Sequence, residues 1–296
     1  MTLSRTASKA PPSPARPGLE LRAARREVMA FTLLEMLVVV AIIGMLAAVS
    51  VPAIRALTQT NTVAAGHRQL LDDLAYARQL AVSGRRVVYL VLVPPTMRAH
   101  ADTIRQADPN LYPSRVKDRA LRQITNLVDG QYMAYALFTR RTVGDQPGRD
   151  HPTYLTDWRR LPDGIVFDTN VFVDLGNRWL TVANRTNAAH RPLPYAWFPF
   201  PTEDSPEMRL PYVAFNPQGR MYYEGGAEPV LAGESIPLLR GSVFYPKDNL
   251  DRYDLRSPPD LALAQRGDTN RMEVRVDWLT GRARVYRPWE QTAAWR

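Results

Sequence analysis

The chain has 296 residues, 45% of them hydrophobic, with 25 prolines against 16 glycines, no cysteine and a formal charge of +9; that is enough material for a core of one or two domains. The lack of cysteine excludes a disulfide framework, a thiolate metal site and a cysteine nucleophile. Much of the charge lies in the first thirty residues, where Arg5, Lys9, Arg16, Arg22, Arg25 and Arg26 face only Glu20 and Glu27, so the remainder is mildly basic.

Residues 1–30 are rich in Ser, Pro, Ala and Arg, include the run Pro-Pro-Ser-Pro-Ala-Arg-Pro-Gly at 11–18, and show no apolar period. They read as a disordered basic leader. Residues 31–51 are then apolar throughout except for Glu35. About twenty such residues match the length a helix needs to cross a bilayer core of roughly 30 Å, so a membrane-spanning segment is expected over about 31–53. Positive charge ahead of it places the N-terminus on the cytoplasmic side and the rest across the membrane. A secretory signal would have a shorter apolar stretch and a small-residue cleavage site of the kind that Ala48-Val49-Ser50 imitates. Neither that reading nor a plain anchor explains a carboxylate four residues inside the run. An ionised carboxylate in hydrocarbon is costly. In an assembly, Glu35 would need a cationic partner from a neighbouring helix, which makes such a pair a register device more than a stability gain.

Beyond Pro52, which is expected to kink the helix, the helix should continue to about residue 82. Ala56, Val63, Leu70, Leu74, Ala77 and Ala81 form an amphipathic stripe, and Ser83-Gly84 ends it. Residues 86–93 read as a buried strand closed by Pro94-Pro95. Residues 96–130 are polar and irregular, with a short helix over 114–128, and residues 131–140 alternate as a second strand. A turn-rich stretch leads to Leu-Pro-Asp-Gly-Ile-Val-Phe at 161–167. Residues 210–221 read as a strand, a turn at Asn216-Pro217-Gln218-Gly219 and a return strand. A terminal hairpin joins 271–278 to 282–286 through Leu279-Thr280-Gly281. The expected fold class is α+β: a long N-terminal helix over 31–82, membrane-spanning in its first half, packed on an antiparallel β-sheet domain over 83–296.

The stretch Ala-Phe-Thr-Leu-Leu-Glu-Met-Leu-Val-Val-Val-Ala-Ile-Ile-Gly at 30–44 resembles the class III signal of type IV pilins and pseudopilins. The resemblance implies cleavage between Ala30 and Phe31 by a prepilin peptidase, N-methylation of the new terminus at Phe31, Glu35 as the family's acidic residue, and Pro52 as the proline after the membrane half of the helix. The family usually has Gly before the cut, where this chain has Ala30. The shorter segments 74–82, 161–167, Phe-Asn-Pro-Gln-Gly-Arg at 215–220 and Thr-Gly-Arg at 280–282 are similar to GspH/FimT-type minor pseudopilins. This chain is longer, with apparent insertions near 96–130, 141–160, 170–208 and 224–265. The implied function is that of a minor structural subunit, single-pass in the inner membrane with a periplasmic C-terminal domain. It is then assembled into a type II secretion pseudopilus or a type IV pilus. The implied partners are prepilin peptidase, other pilin or pseudopilin subunits and the inner-membrane assembly platform. The alternative is a pilin-like membrane-anchored receptor that binds DNA or a secreted substrate.

Chemistry-bearing constellations are poor. His67, His100, His151 and His190 have no ligand spacing, and neither a Walker-type glycine loop nor a Gly-x-Ser-x-Gly elbow is present. The acids of 248–254 lack the spacing and glycine of a calcium loop and read as a solvated acidic loop, and Arg266-Gly267-Asp268 carries no adhesion claim. Arg85-Arg86, Arg140-Arg141, Arg159-Arg160 and Arg282, Arg284 and Arg287 would contact nucleic-acid phosphates only if they converged. Trp158, Trp179, Trp197, Trp278, Trp289 and Trp295 read as core and edge residues in preference to a sugar-binding platform. The sequence therefore assigns no catalytic residue, no metal site and no cofactor, and a tethered hydrolase finds no supporting constellation.

Overall fold

The computed structural model describes residues 32–142, 144–145, 150–174, 192–226, 233–254, 257–264 and 272–287, apart from the side chains of Val49 and of residues 51–61. It divides into two compact units, Met1–Ala53 and Ile54–Arg296. Helix α1 runs from Leu33 to Gly84. Thr32 starts it: its backbone carbonyl accepts from the N–H of Met36 at 3.2 Å, and its hydroxyl oxygen accepts from the N–H of Glu35 at the same distance. Thr-x-x-Glu is the pattern of a capping box, which satisfies donors that the first turn leaves without helical partners.

Two expectations are corrected here. Among the described residues no helix is long and apolar enough to cross a membrane. The transmembrane first half, and the single-pass inner-membrane placement with a periplasmic domain, fall with that finding. The physical reason is length: between Glu35 and Ser50 the uninterrupted apolar run extends only about 21 Å at 1.5 Å per residue, short of a bilayer core of about 30 Å. The second correction concerns the fold class. In place of one antiparallel sheet under a helix, the second unit is predominantly β, with eleven described strands in two sheets.

The first sheet has the order β3-β2-β1-β7-β6, with β4 also on β2, and its pairings are antiparallel. Its strands are β1 (Val88–Leu92), β2 (Ala134–Thr139), β3 (Thr153–Tyr154), β4 (Arg159–Arg160), β6 (Tyr195–Pro199) and β7 (Glu207–Phe215). The second has the order β11-β10-β8-β5, with β9 on β8. It is built from β5 (Ile165–Phe167), β8 (Glu234–Phe244), β9 (Asp260–Leu263), β10 (Glu273–Val276) and β11 (Ala283–Tyr286).

Strand β1 is apolar at every position because both its faces are covered. Val88, Leu90 and Leu92 join Leu70, Leu74, Ala77 and Ala81 of α1 and Ile236, Leu238, Val274 and Val276 of the second sheet in one core. Tyr89 and Val91 point into a second core, closed by Met97, Ala101 and Ile104 of α2 (Met97–Gln106) and Ala120, Ile124 and Leu127 of α3 (Ser114–Leu127). The stripe on α1 is too narrow to cover the sheet alone, and the second sheet completes the layer.

The first sheet is strongly curled. β2 and β6 lie three strand spacings apart, about 14 Å if flat, yet the rings of Phe138 and Phe198 are 5.4 Å apart over the concave face. Arg140, just past β2, donates from Nη2 to the Trp197 carbonyl of β6 at 2.6 Å and from Nε to Glu224 Oε1 at 3.1 Å. The same carboxylate oxygen accepts from the Tyr89 hydroxyl at 2.6 Å. Burial, and then the bond to Glu224, push the Tyr89 pKa far up and keep its hydroxyl protonated as a donor.

Candidate functional site

In the first unit, α1 presents an exposed apolar surface. Eleven large apolar side chains between Leu33 and Leu46 are exposed, from Leu33 at 84% to Val39 at 41%. They lie all round the helix, and a helix that is apolar all round belongs inside a larger body. Each such side chain gains roughly 1.5–3 kcal/mol when it leaves water. Glu35 is the single carboxylate of this surface. It sits in the first turn, where a negative charge is favoured by the helix dipole, and it is exposed to whatever packs alongside.

Ala30 and Phe31, the expected cleavage and methylation positions, lie outside the described residues, as does the leader 1–30. Pro52 lies within the helical span of α1, and its side chain is outside the description. Thr32 caps the start of α1, a role that the Thr-x-x-Glu pattern of the sequence carries.

In the second unit, the short C-terminal segments singled out in the sequence converge on the second half of α1. Gly66 of α1 faces Ile165 of the Leu-Pro-Asp-Gly-Ile-Val-Phe segment so closely that a Cβ there would sit 3.2 Å from the Ile165 Cγ2. Arg78 donates from Nε to the carbonyls of Gly219, at 3.1 Å, and of Thr280, at 2.8 Å. One guanidinium thus ties the Asn216-Pro217-Gln218-Gly219 turn to the Leu279-Thr280-Gly281 turn. Gly219 and Gly281 both have positive φ, and a Cβ on Gly281 would lie 2.1 Å from the Gly219 carbonyl oxygen. Glycine is required there because the two turn backbones touch. Lower on α1, Asp73 accepts from the Tyr135 hydroxyl at 2.6 Å and pairs with Arg159, and Gln69 donates to both the Tyr135 hydroxyl and the Arg160 carbonyl.

The other candidates do not assemble. His67 lies between the carbonyls of Val63 and Met272, His100 packs edge-on against Phe200, and His151 lies in a loop. His190 is outside the described residues, and so are Trp179, Trp289, Trp295 and the Arg-Gly-Asp tripeptide. Among the described residues no group of three His, Cys, Asp or Glu side chains is placed to hold a metal ion. Asp248 is held by the N–H groups of Leu250 and Arg252 and by the Arg252 guanidinium, and Asp251 by Lys247. The arginine pairs diverge to separate acids: Arg140 to Glu224, Arg141 to Asp150, Arg159 to Asp73 and Arg160 to Asp129.

Comparison of the chain with family models, with curated proteins and with solved structures returned no match.

Proposed function

We propose that the chain is a minor structural subunit of a type IV filament, of the pilus or type II secretion kind. In this reading a prepilin peptidase cuts it between Ala30 and Phe31, and the first part of α1 packs against the same part of neighbouring subunits. The observation that carries the proposal is the ring of exposed apolar side chains over residues 33–46, interrupted only by Glu35 at its start. A bundle of such helices removes that surface from water, and Glu35 then needs a cation inside the bundle. The processed amine of a neighbour offset by about one turn is such a cation. Convergence of the 161–167, 215–220 and 280–282 segments on α1 supports the same reading, since the resemblance rests on those segments.

The chain lacks cysteine, so a single Val40→Cys substitution gives a clean probe. Co-expressed with a prepilin peptidase and the other subunits of a type IV filament system, that variant is expected to form peptidase-dependent disulfide cross-links to neighbouring subunits carrying cysteine at the matching helix position. An Arg98→Cys variant, with its probe on exposed α2, is expected to form none. Val40→Cys that remains monomeric in every combination contradicts the proposal.

A further inference from the structure

A groove of about 670 Å³ opens on the second unit where α1, α3, the loop between β3 and β4 and the loop after β6 meet. Its size lies within the range of small-ligand sites. Four of its groups decide what it suits. The side chains of Tyr76 of α1, Gln123 of α3 and Asp157 make no hydrogen bond among the described residues. Trp158 is half-buried, and its indole N–H is committed to the Pro201 carbonyl at 3.1 Å, so what it offers the groove is apolar ring surface. Its ring is held from behind by Phe200, at 5.4 Å, and Tyr154, at 5.1 Å.

The charges of the lining balance. Arg119 and Arg159 stand against Asp157 and Glu203, and Arg119 and Arg159 also face Asp204 and Asp73. A polyanion would meet Asp157 and Glu203, and a polycation would meet the two arginines, so neither is favoured. A neutral ligand with many hydroxyls and an apolar C–H face uses every feature: the indole ring takes the C–H face, while the carboxylate, amide and phenol bond the hydroxyls. We propose that this groove binds a neutral oligosaccharide. The site stands on the second unit alone and does not depend on filament assembly, so the two proposals fail separately.

The test uses the full-length protein in a phosphocholine detergent, which has no sugar headgroup to compete. Maltotriose, cellotriose and triacetylchitotriose are titrated by calorimetry and by saturation-transfer NMR. Tri-serine, a cationic tri-lysine and a twelve-residue oligothymidine serve as competitors of other classes. Saturable binding of at least one trisaccharide is expected. Gln123→Ala and Asp157→Ala should each weaken it about tenfold, the equivalent of one lost polar contact of about 1.4 kcal/mol. Trp158→Ala should abolish it, and Trp158→Phe should retain most of it. The Gln123 and Asp157 side chains carry no hydrogen bond among the described residues, so their variants are expected to keep the fold. Trp197→Ala, an exposed aromatic change on β6, should leave binding unchanged. The proposal is overturned if no trisaccharide binds, if binding ignores Gln123→Ala and Asp157→Ala, or if only the peptides or the oligonucleotide bind.

Discussion

The Tyr154 hydroxyl donates to the Pro199 carbonyl at 2.7 Å and thereby joins β3 to β6, the two opposite edges of one sheet. Flat, those edges would be separated by four strand spacings, about 19 Å. The bond, with Arg140 to Trp197 beside it, closes the curled sheet over its aromatic core through side chains where backbone pairing does not reach. It also blunts two strand edges that would otherwise invite pairing with other chains.

Tyr154→Phe keeps the ring contacts with Phe138 and Trp158 and removes only the closing bond. The expected loss is about 1–2 kcal/mol of unfolding free energy, read from urea denaturation. Arg140→Ala, which also strips Glu224 of its cation, should cost about 2–3 kcal/mol. Arg140→Lys should recover little of that, because an ammonium cannot reach both the Trp197 carbonyl and the Glu224 carboxylate as the planar guanidinium does. If both positions prove neutral, the seam does not hold the sheet closed.

The pH dependence of stability has an identifiable source in His100. Burial holds its pKa down at about 4, against an ordinary value of 6.5. Its ring packs edge-on against Phe200, and its Nε2 lies 3.2 Å from the Thr96 hydroxyl. The unfolded chain binds a proton at His100 between those two values and the folded chain does not, so stability present above pH 6.5 is lost as the pH falls toward 4. The expected contribution is of the order of 1–3 kcal/mol. Denaturation of the wild type and of His100→Gln at pH 7 and pH 4.5 isolates it: the difference between the two proteins should change across that interval. An unchanged difference would show that His100 titrates in the folded state as it does in the unfolded one.

What the sequence disclosed, and what it hid, follows from the range of the interactions. β1 was legible from its apolar run, and the turn at 216–219 from Asn-Pro-Gln-Gly, whose Asn216 side chain accepts from the N–H groups of Gln218 and Arg220. The expected return strand there is a single bridge from Phe215 to Met221, extended by the bond from the Tyr222 N–H to the Ala214 carbonyl, before the Tyr223 hydroxyl donates to Glu234. β8 was missed because Pro237 and Gly241 break up a strand that is buried at one end and half-exposed at the other. β6 and α2 fell inside apparent insertions, although α2 buries Met97, Ala101 and Ile104 at helical spacing. The membrane-spanning expectation takes Glu35 and Ser50 inside the span, and the apolar run left between them is only about 21 Å long, short of a bilayer core. The groove under Trp158 was invisible, because its walls come from four segments distant in sequence.

Glu35 stands in the first turn of α1, with its N–H bonded to the Thr32 hydroxyl, and the proposed function gives its carboxylate a second, separable role in assembly. Glu35→Gln keeps a capping-box residue at the third position of the helix but removes the charge, whereas Glu35→Val removes both. Both variants should be cleaved nearly normally and should enter filaments poorly, as measured by the fraction of subunit recovered in sheared filaments. Thr32→Ala should cost about 1 kcal/mol of local helix stability with a smaller effect on incorporation. Normal incorporation of Glu35→Gln would sink the register argument and leave Glu35 with the cap alone.

The most direct test of the proposed function is the mass of the N-terminus. The full chain is expressed with and without an active prepilin peptidase, and the N-terminal peptide is sequenced by mass spectrometry. The account predicts a peptidase-dependent terminus at Phe31 carrying one N-methyl group. A terminus that is the same with and without the peptidase, whether uncut or cut after Ser50, would contradict it.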